Sequence, residues 1–460
     1  MSALDTSAVT RHLGIRYATA GRFEAPVLQP FDPASGAFDT PGKLAPQVPG
    51  MMETMLGIDV GSMSEDCLFL NVFAPTGATP SSRLPVLYWI HGGAYLNGGG
   101  SIPWYDGSAL AARGHVVVTI NYRLGALGFL GAGNWGTLDQ ICGLQWVRQH
   151  IAGFGGDPDN VTIFGESAGG SAVVSLLAAP SAVGLFHRAW AMSPSIGQLR
   201  TLDRANEWAD AFLTHAGVAT VDEARDLPLE KLLEAQSATL AMPNTNFEMF
   251  SPAGGGEGLP SQLLDAAAAN PVPLSIGTNR DENLLFMAFD PRYSGAGEQQ
   301  WVDHLSLQFG DRAEQARAAY EAARVGANHL TLISAAQTDH AFRQPARRLA
   351  EARHALGNST WMYWFTWASP AFGGALGSAH ALDIPFAFDN LQSPGTEMLL
   401  GDGPERQGIA TRFADEISGF AKGGAASWPQ YDLHARPTLR IDGNIEVLHD
   451  PEPAVRALFD

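Results

Sequence analysis

Short apolar runs, each bounded by turn residues, alternate along this chain with stretches whose apolar positions recur at helical spacing. Leu68 to Phe73, Val86 to Ile90, Val116 to Ile120 and Val161 to Phe164 read as strands. Ala189 to Met192, Pro273 to Ile276 and Trp361 to Trp367 read the same way. Leu138, Ile141, Leu144, Val147 and Ile151 mark an amphipathic helix, as do Ile409, Phe413, Ile417 and Phe420. Ser171 to Leu177 forms a further helical run, which Pro180 ends or follows. Near the carboxyl end, Thr438 to Ile441 and Ile445 to Val447 flank Asp442-Gly443-Asn444, the pattern of a hairpin. The alternation predicts an α/β fold with a central, mostly parallel sheet covered by helices on both faces.

Two stretches rich in Ala, Glu, Leu and Arg, at about 200–240 and 297–355, read as helical insertions packed over the carboxyl edge of the sheet, where they would shape substrate access. No internal repeat is evident. The Gly-rich patches at 97–100 and 253–256 are short loops.

Composition narrows the classes. A chain of 460 residues with 45% hydrophobic content can bury a large core, and we read 1–460 as one catalytic domain. The net charge of −19, spread along the chain, disfavours nucleic acid and anionic membranes as partners. No apolar run reaches bilayer length, and Met1 to Gly14 lacks the apolar core of a secretory signal; the expectation is a soluble, cytoplasmic protein. Two cysteines, Cys67 and Cys142, make no disulfide framework, and Cys142 falls at a helical position suited to a small buried residue. Asn160-Val161-Thr162 and Asn358-Ser359-Thr360 fit the glycosylation pattern and carry little weight without a secretory signal.

The candidate chemistry centres on Gly165-Glu166-Ser167-Ala168-Gly169-Gly170, between a strand and a helix. A serine in Gly-x-Ser-x-Gly at such a junction is the nucleophile elbow of an α/β-hydrolase. Serine is a weak nucleophile near neutral pH and needs a histidine base, a carboxylate to orient that base, and donors for the oxyanion. The expected chain order is serine, acid, histidine. Gly277 to Asn283 follows the strand ending at Ile276 and offers Glu282 as the acid, with Asp281 as its local competitor; the plain alternative for both is a solvated acidic turn. Gly377-Ser378-Ala379-His380 offers the base on a loop of small residues. Rivals by order are His304, His329, His340, His354, His434 and His449. Oxyanion donors are sought in the amide of Ala168 and in His91-Gly92-Gly93-Ala94-Tyr95, just past the strand ending at Ile90. There is no His-Glu-x-x-His, no close cysteine–histidine set and no phosphate loop, so neither a metal nor a cofactor is expected.

Taken together these motifs resemble the type-B carboxylesterases, the family that includes cholinesterases and bacterial p-nitrobenzyl esterases. Glu65-Asp66-Cys67-Leu68-Phe69-Leu70-Asn71 is similar to its early signature, Asn121-Tyr122-Arg123-Leu124-Gly125 to a strand-end motif, and Trp428-Pro429-Gln430-Tyr431 to a late one. Phe154-Gly155-Gly156-Asp157-Pro158 through Gly170 is the most specific part. The resemblance implies Ser167 as nucleophile, His380 as base, and Glu282 ahead of Asp281 as acid. It implies Gly93, Ala94 and Ala168 as oxyanion amides and Ser193 as a support behind the triad. The implied activity is hydrolysis of small-molecule carboxylic esters through an acyl-enzyme. Related acyl compounds (lactones, carbamates, polyesters) are the rival substrates, and a non-catalytic adhesion module is the rival of another class.

The chain departs from the family pattern in a short amino-terminal region around Gly14-Ile15-Arg16-Tyr17-Ala18. Met192-Ser193-Pro194-Ser195 stands where a glycine-containing turn is usual, and Cys67 has no nearby partner. Tyr95, Trp104, Tyr105, Phe386 and Phe388 are the aromatic candidates for the pocket wall. Oligomeric state is left open.

Overall fold

A computed structural model of the chain describes residues 6–34, 36–50, 54, 62–242, 249–288 and 290–460. Ten strands form the main sheet. They are β1 (Val9–Arg16), β2 (Phe69–Pro75), β3 (Leu84–Ile90), β4 (Val116–Ile120), β5 (Gly156–Glu166), β6 (Arg188–Met192), β7 (Leu274–Asn279), β8 (Thr360–Phe365), β9 (Pro437–Ile441) and β10 (Glu446–His449). Their spatial order is β1-β2-β4-β3-β5-β6-β7-β8-β9-β10. Pairing is parallel from β4 through β9 and antiparallel at both edges.

This order positions the site. After β3 the chain steps outward to β4, then returns to place β5 on the other side of β3. At such a reversal the loops leaving the carboxyl ends of neighbouring strands diverge and leave a crevice between them. Here the diverging segments are the glycine turn after β3 and the serine elbow after β5.

The central strands are buried along most of their length because both faces are covered. Along β3, Val86, Tyr88 and Ile90 face one layer while Leu87 and Trp89 face the other. On the first face lie α1 (Trp135–His150) and α2 (Ala168–Ala178). The same core takes Trp208 and Phe212 of α3 (Leu202–Ala216) and Leu232 of α4 (Leu229–Leu240). The segment at 297–355 forms α5 (Glu298–Phe309), α6 (Ala313–Ala323), α7 (His329–Thr338) and α8 (Gln344–Ala355). It has a small core of its own, in which Trp301, Tyr320 and Ile333 meet Val455 and Leu458 of the chain end. On the second sheet face, α9 (Arg406–Gly423) buries Ile409, Phe413, Ile417 and Phe420 as its spacing predicts.

Two expectations are revised. The helix around Leu138 is buried on most of its circumference, Thr137, Asp139 and Gln140 included, because Phe23 and Phe31 of the amino-terminal segment stack on its Trp135 and Trp146. The first strand, β1, gave no clear signal. It is an edge strand with exposed Thr10 and Arg11, and its register breaks between His12 and Ile15. Cys67 and Cys142 are both free and buried.

The buried charge on α1 has a counterpart. Arg123, just past β4, holds Asp139 through two bonds, Nε to Oδ2 at 2.8 Å and Nη2 to Oδ1 at 2.7 Å, and its own amide donates to the same carboxylate. The pair locks the β4 exit onto α1. Asp139→Ala is expected to cost about 3–5 kcal/mol, because it strands a guanidinium in the interior. Equilibrium denaturation checks this; an unchanged midpoint would show that water reaches Arg123.

Candidate active site

Ser167 sits between the end of β5 and the start of α2 with φ 58 and ψ −120, a conformation that side chains other than glycine rarely adopt. Its neighbours enforce the strain. The Ser167 amide donates to the Met192 carbonyl at 2.9 Å, and the Ser167 carbonyl accepts from the Ser171 amide at 2.9 Å. A Cβ at Gly169 would lie 2.0 Å from the Ile90 carbonyl oxygen, and one at Gly165 would lie 2.6 Å from that oxygen. Only glycine at both positions lets the elbow press against the end of β3.

The turn after β3 runs through Gly93, Ala94 and Tyr95 at φ 104, 55 and 59. Its backbone bonds, from the Leu96 and Asn97 amides to the Gly93 carbonyl, leave the amides of Gly93 and Ala94 outside the turn's own ladder. His91 braces the turn: its Nδ1 lies 2.7 Å from the Gly92 oxygen, and its ring stacks on Tyr122, whose hydroxyl donates to the His91 carbonyl. Burial pushes the His91 imidazole down to about 4, so it stays neutral.

Past β7, Glu282 is fully buried. Its Oε1 accepts the Asn279 amide at 2.7 Å, and its Oε2 lies 2.6 Å from His380 Nδ1. Asp281 faces elsewhere: its Oδ2 accepts the Ser378 amide at 3.0 Å, so it braces the loop that carries His380. Ser167, His380, Gly93 and Ala94 line one cavity of about 460 Å³, a volume suited to a small organic ligand. Among the described residues no other histidine lines it.

The carboxylesterase family model matches residues 1–454. The chain belongs to the carboxylesterase family. It is 38% identical over 451 residues to the para-nitrobenzyl esterase of Bacillus subtilis (strain 168), covering 90% of this chain and 86% of that protein. It is 36% identical over 390 residues to the phenmedipham hydrolase of Pseudarthrobacter oxydans, covering 82% and 77%. Among solved structures, a Geobacillus stearothermophilus carboxylesterase superposes with a TM-score of 0.83 at 34% identity, over 99% of this chain and 97% of that one. The fold is that of the α/β-hydrolases, and the protein is a carboxylic ester hydrolase.

This carboxylesterase crowds carboxylates around its imidazole. Glu166, which the sequence reading passed over as a mere spacer in the elbow, is buried with Oε1 3.2 Å from His380 Nε2. Burial pushes Glu166 up to about 8, with the His380 charge pulling it back and Asp383 and Glu282 adding to the rise. Burial alone would lower His380, but Glu166 and Glu282 more than reverse this and lift it to about 9. Asp383 is also fully buried; burial and the Glu282 charge raise it to about 7.

The aromatic candidates divide. Trp104 and Tyr105 line the carboxylesterase cavity. Tyr95, Phe386 and Phe388 do not, and the structure seats them in the core. Tyr95 packs edge-on against Phe129, Phe386 against Phe365 and Trp367, and Phe388 against Trp89 and Phe164. The apolar wall comes instead from Ile102, Leu285, Phe286, Phe342 and Ile384. Phe286 carried a usable signal, one helical turn past Glu282; Phe342 is remote in sequence. Of the two helical stretches, the one at 297–355 reaches the cavity through Gln337, Ala341 and Phe342, whereas no described residue of α3 or α4 lines it. Ser193 is buried at φ 43; its amide donates to the Gly277 carbonyl at 2.8 Å, and its hydroxyl has no hydrogen-bond partner among the described residues.

A base must be neutral to take a proton, so with His380 as the base its raised pKa is expected to place the rising limb of kcat/KM on the alkaline side. Glu166→Gln removes one of the two carboxylates that hold the proton, and the limb is expected to move to lower pH. A pH–rate profile of both forms checks this; an unmoved limb would detach His380 from it.

Proposed function

We propose that Ser167, His380 and Glu282 are the catalytic triad of this esterase. Ser167 Oγ attacks the ester carbonyl while His380 Nε2 takes its proton. The amides of Gly93, Ala94 and Ala168 hold the oxyanion, with the amino-terminal end of α2 adding its positive dipole. Glu282 stabilises the imidazolium. His380 then passes the proton to the departing alcohol, and the acyl-enzyme forms. A water molecule, deprotonated by the same imidazole, releases the acid and restores the serine. The 2.6 Å contact between Glu282 and His380 carries the reading, because it orients an imidazole in the wall of a cavity that also exposes the strained serine.

The cavity volume of about 460 Å³ and the walls of Trp104, Tyr105, Phe286 and Phe342 favour monomeric esters with an aromatic or short aliphatic group. Carbamates are the second reading, supported by the phenmedipham hydrolase relative. We take 1–460 as one catalytic unit with helical insertions at 200–240 and 297–355, acting in a cytoplasmic setting on free small-molecule esters. The charge of −19 supports the exclusion of nucleic acid and anionic membranes as partners. No described helix is long and apolar enough to cross a membrane.

Ser167→Ala and His380→Ala are each expected to lower kcat by about four to six orders of magnitude. A fluorophosphonate probe is expected to label Ser167 alone, read by peptide mapping. Near-normal turnover in either variant, or labelling at another serine, would overturn the assignment. A panel of p-nitrophenyl esters is expected to show turnover falling as the acyl chain outgrows the cavity; equal rates on long chains would point to a lipase-like site.

A further inference from the structure

Two phenylalanines pack against the imidazole of His380. The ring centroids of Phe286 and Phe342 lie 5.2 and 5.1 Å from it, tilted by 46° and 44°. Phe286 follows Glu282 on a one-turn helix, so it travels with the acid. Phe342 arrives from the helical stretch at 297–355, more than fifty residues further on, through a local irregularity of its helix.

That irregularity has an identifiable cause. Helices α7 and α8 would run on as one but for Asp339–Arg343, which is a π-helical turn. Pro345 lies just beyond it. A proline has no amide to offer the carbonyl four residues back, that of Ala341, and its ring would strike that carbonyl in a regular helix. The helix widens instead, and the Gln344 amide bonds the Asp339 carbonyl five residues back. The widened turn brings Ala341 and Phe342 to the cavity wall.

The far side of the turn is anchored in the interior. Asp339 accepts from the Tyr320 hydroxyl and from Gln344 Nε2, each at 3.1 Å. Arg343 lies over the Trp364 ring at 4.0 Å and donates to Glu452 Oε2 at 2.5 Å. Glu452 also binds Arg324, whose Nε lies 3.9 Å from Asp281. Asp281 in turn braces Ser378, two residues before His380. One chain of buried charges therefore fixes the π-turn, the acid loop and the base loop relative to one another.

Glu282 holds His380 Nδ1 at 2.6 Å, and Glu166 Oε1 lies 3.2 Å from Nε2. Both carboxylates meet the ring at its nitrogens, on its edge, so they do little against tipping of the ring, and Ala379 and Ala381 on either side offer it no bulk. We propose that Phe342 is a positioning residue: with Phe286 it confines the imidazole by packing against it, so that His380 keeps its place in the wall of the cavity that Ser167 also lines, and the Pro345 π-turn is the device that delivers it. The proposal rests on the reading of His380 as the base.

The test compares Phe342→Leu, Phe342→Tyr and His380→Ala on p-nitrophenyl acetate, an ester too small to need the wall. Phe342→Leu is expected to lower kcat about 10- to 100-fold, the scale of a misplaced catalytic group. Its KM should change by less than about threefold. The far-downfield proton resonance of the Glu282–His380 hydrogen bond should broaden or vanish. Phe342→Tyr, which keeps the ring, should restore both the resonance and most of kcat. A Phe342→Leu enzyme that keeps kcat and the resonance, or that changes KM alone, would reduce Phe342 to a passive wall. If the leucine variant fails to fold, Phe342→Met poses the same question with the same two readouts. Undiminished turnover in His380→Ala would instead sink the base assignment, whatever the phenylalanine variants do.

Discussion

The site depends on one close approach, that of the serine elbow to the end of β3. Gly169 and Gly165 carry their hydrogens where any larger group would strike the Ile90 carbonyl. That contact has two consequences at once. It holds Ser167 in a left-handed conformation, and it brings the turn after β3 against the elbow, where a Cβ at Gly92 would lie 3.1 Å from the Ser167 Cβ. The hydroxyl proposed as nucleophile and the amides proposed as its oxyanion donors are thus placed by backbone packing. The strain is stored where the surrounding sheet over-determines it: Met192 and Ser171 grip the serine backbone from two further elements.

A second constraint is electrostatic. Glu166, Glu282 and Asp383 are all buried around a single imidazole. Carboxylates so close together cannot all ionise cheaply in a low-dielectric interior, and burial lifts Glu166 and Asp383 above the usual carboxylate range. Glu282 differs from both in its partners, since it takes the Asn279 amide as well as the imidazole. Asp281 and Glu282 illustrate how adjacent acids acquire different work. One reaches the imidazole, and the other ties the acid loop to the base loop through Ser378.

Much of this was legible in the residues. The nine elements singled out by apolar runs and by the late hairpin all lie within strands of the observed sheet or flank it closely, because central parallel strands must be apolar on both faces. The elbow was legible for a related reason. A turn that tight admits only glycine at fixed offsets, so its geometry is written in residue types. The edge strand β1 was not legible, since one edge of the sheet meets water and its polar residues break the pattern. Nor was the full burial of α1, which depends on Phe23 and Phe31 folding back from far upstream.

The pocket wall divides along the same line. Trp104 and Tyr105 follow the loops near the site, yet Tyr95, Phe386 and Phe388 point into the core although their chain positions look equivalent. Which way an aromatic ring turns is decided by the partners it meets, and those come from other parts of the chain. Phe342 shows the opposite case, a distant residue brought to the imidazole by a helix that Pro345 prevents from winding regularly. The sequence by itself determined the sheet and the elbow, because each rests on local periodicity or on a backbone conformation few residues can adopt. Tertiary structure alone decided which carboxylates surround the imidazole, which rings line the cavity and which pack against His380, because those depend on contacts between segments that no local pattern relates.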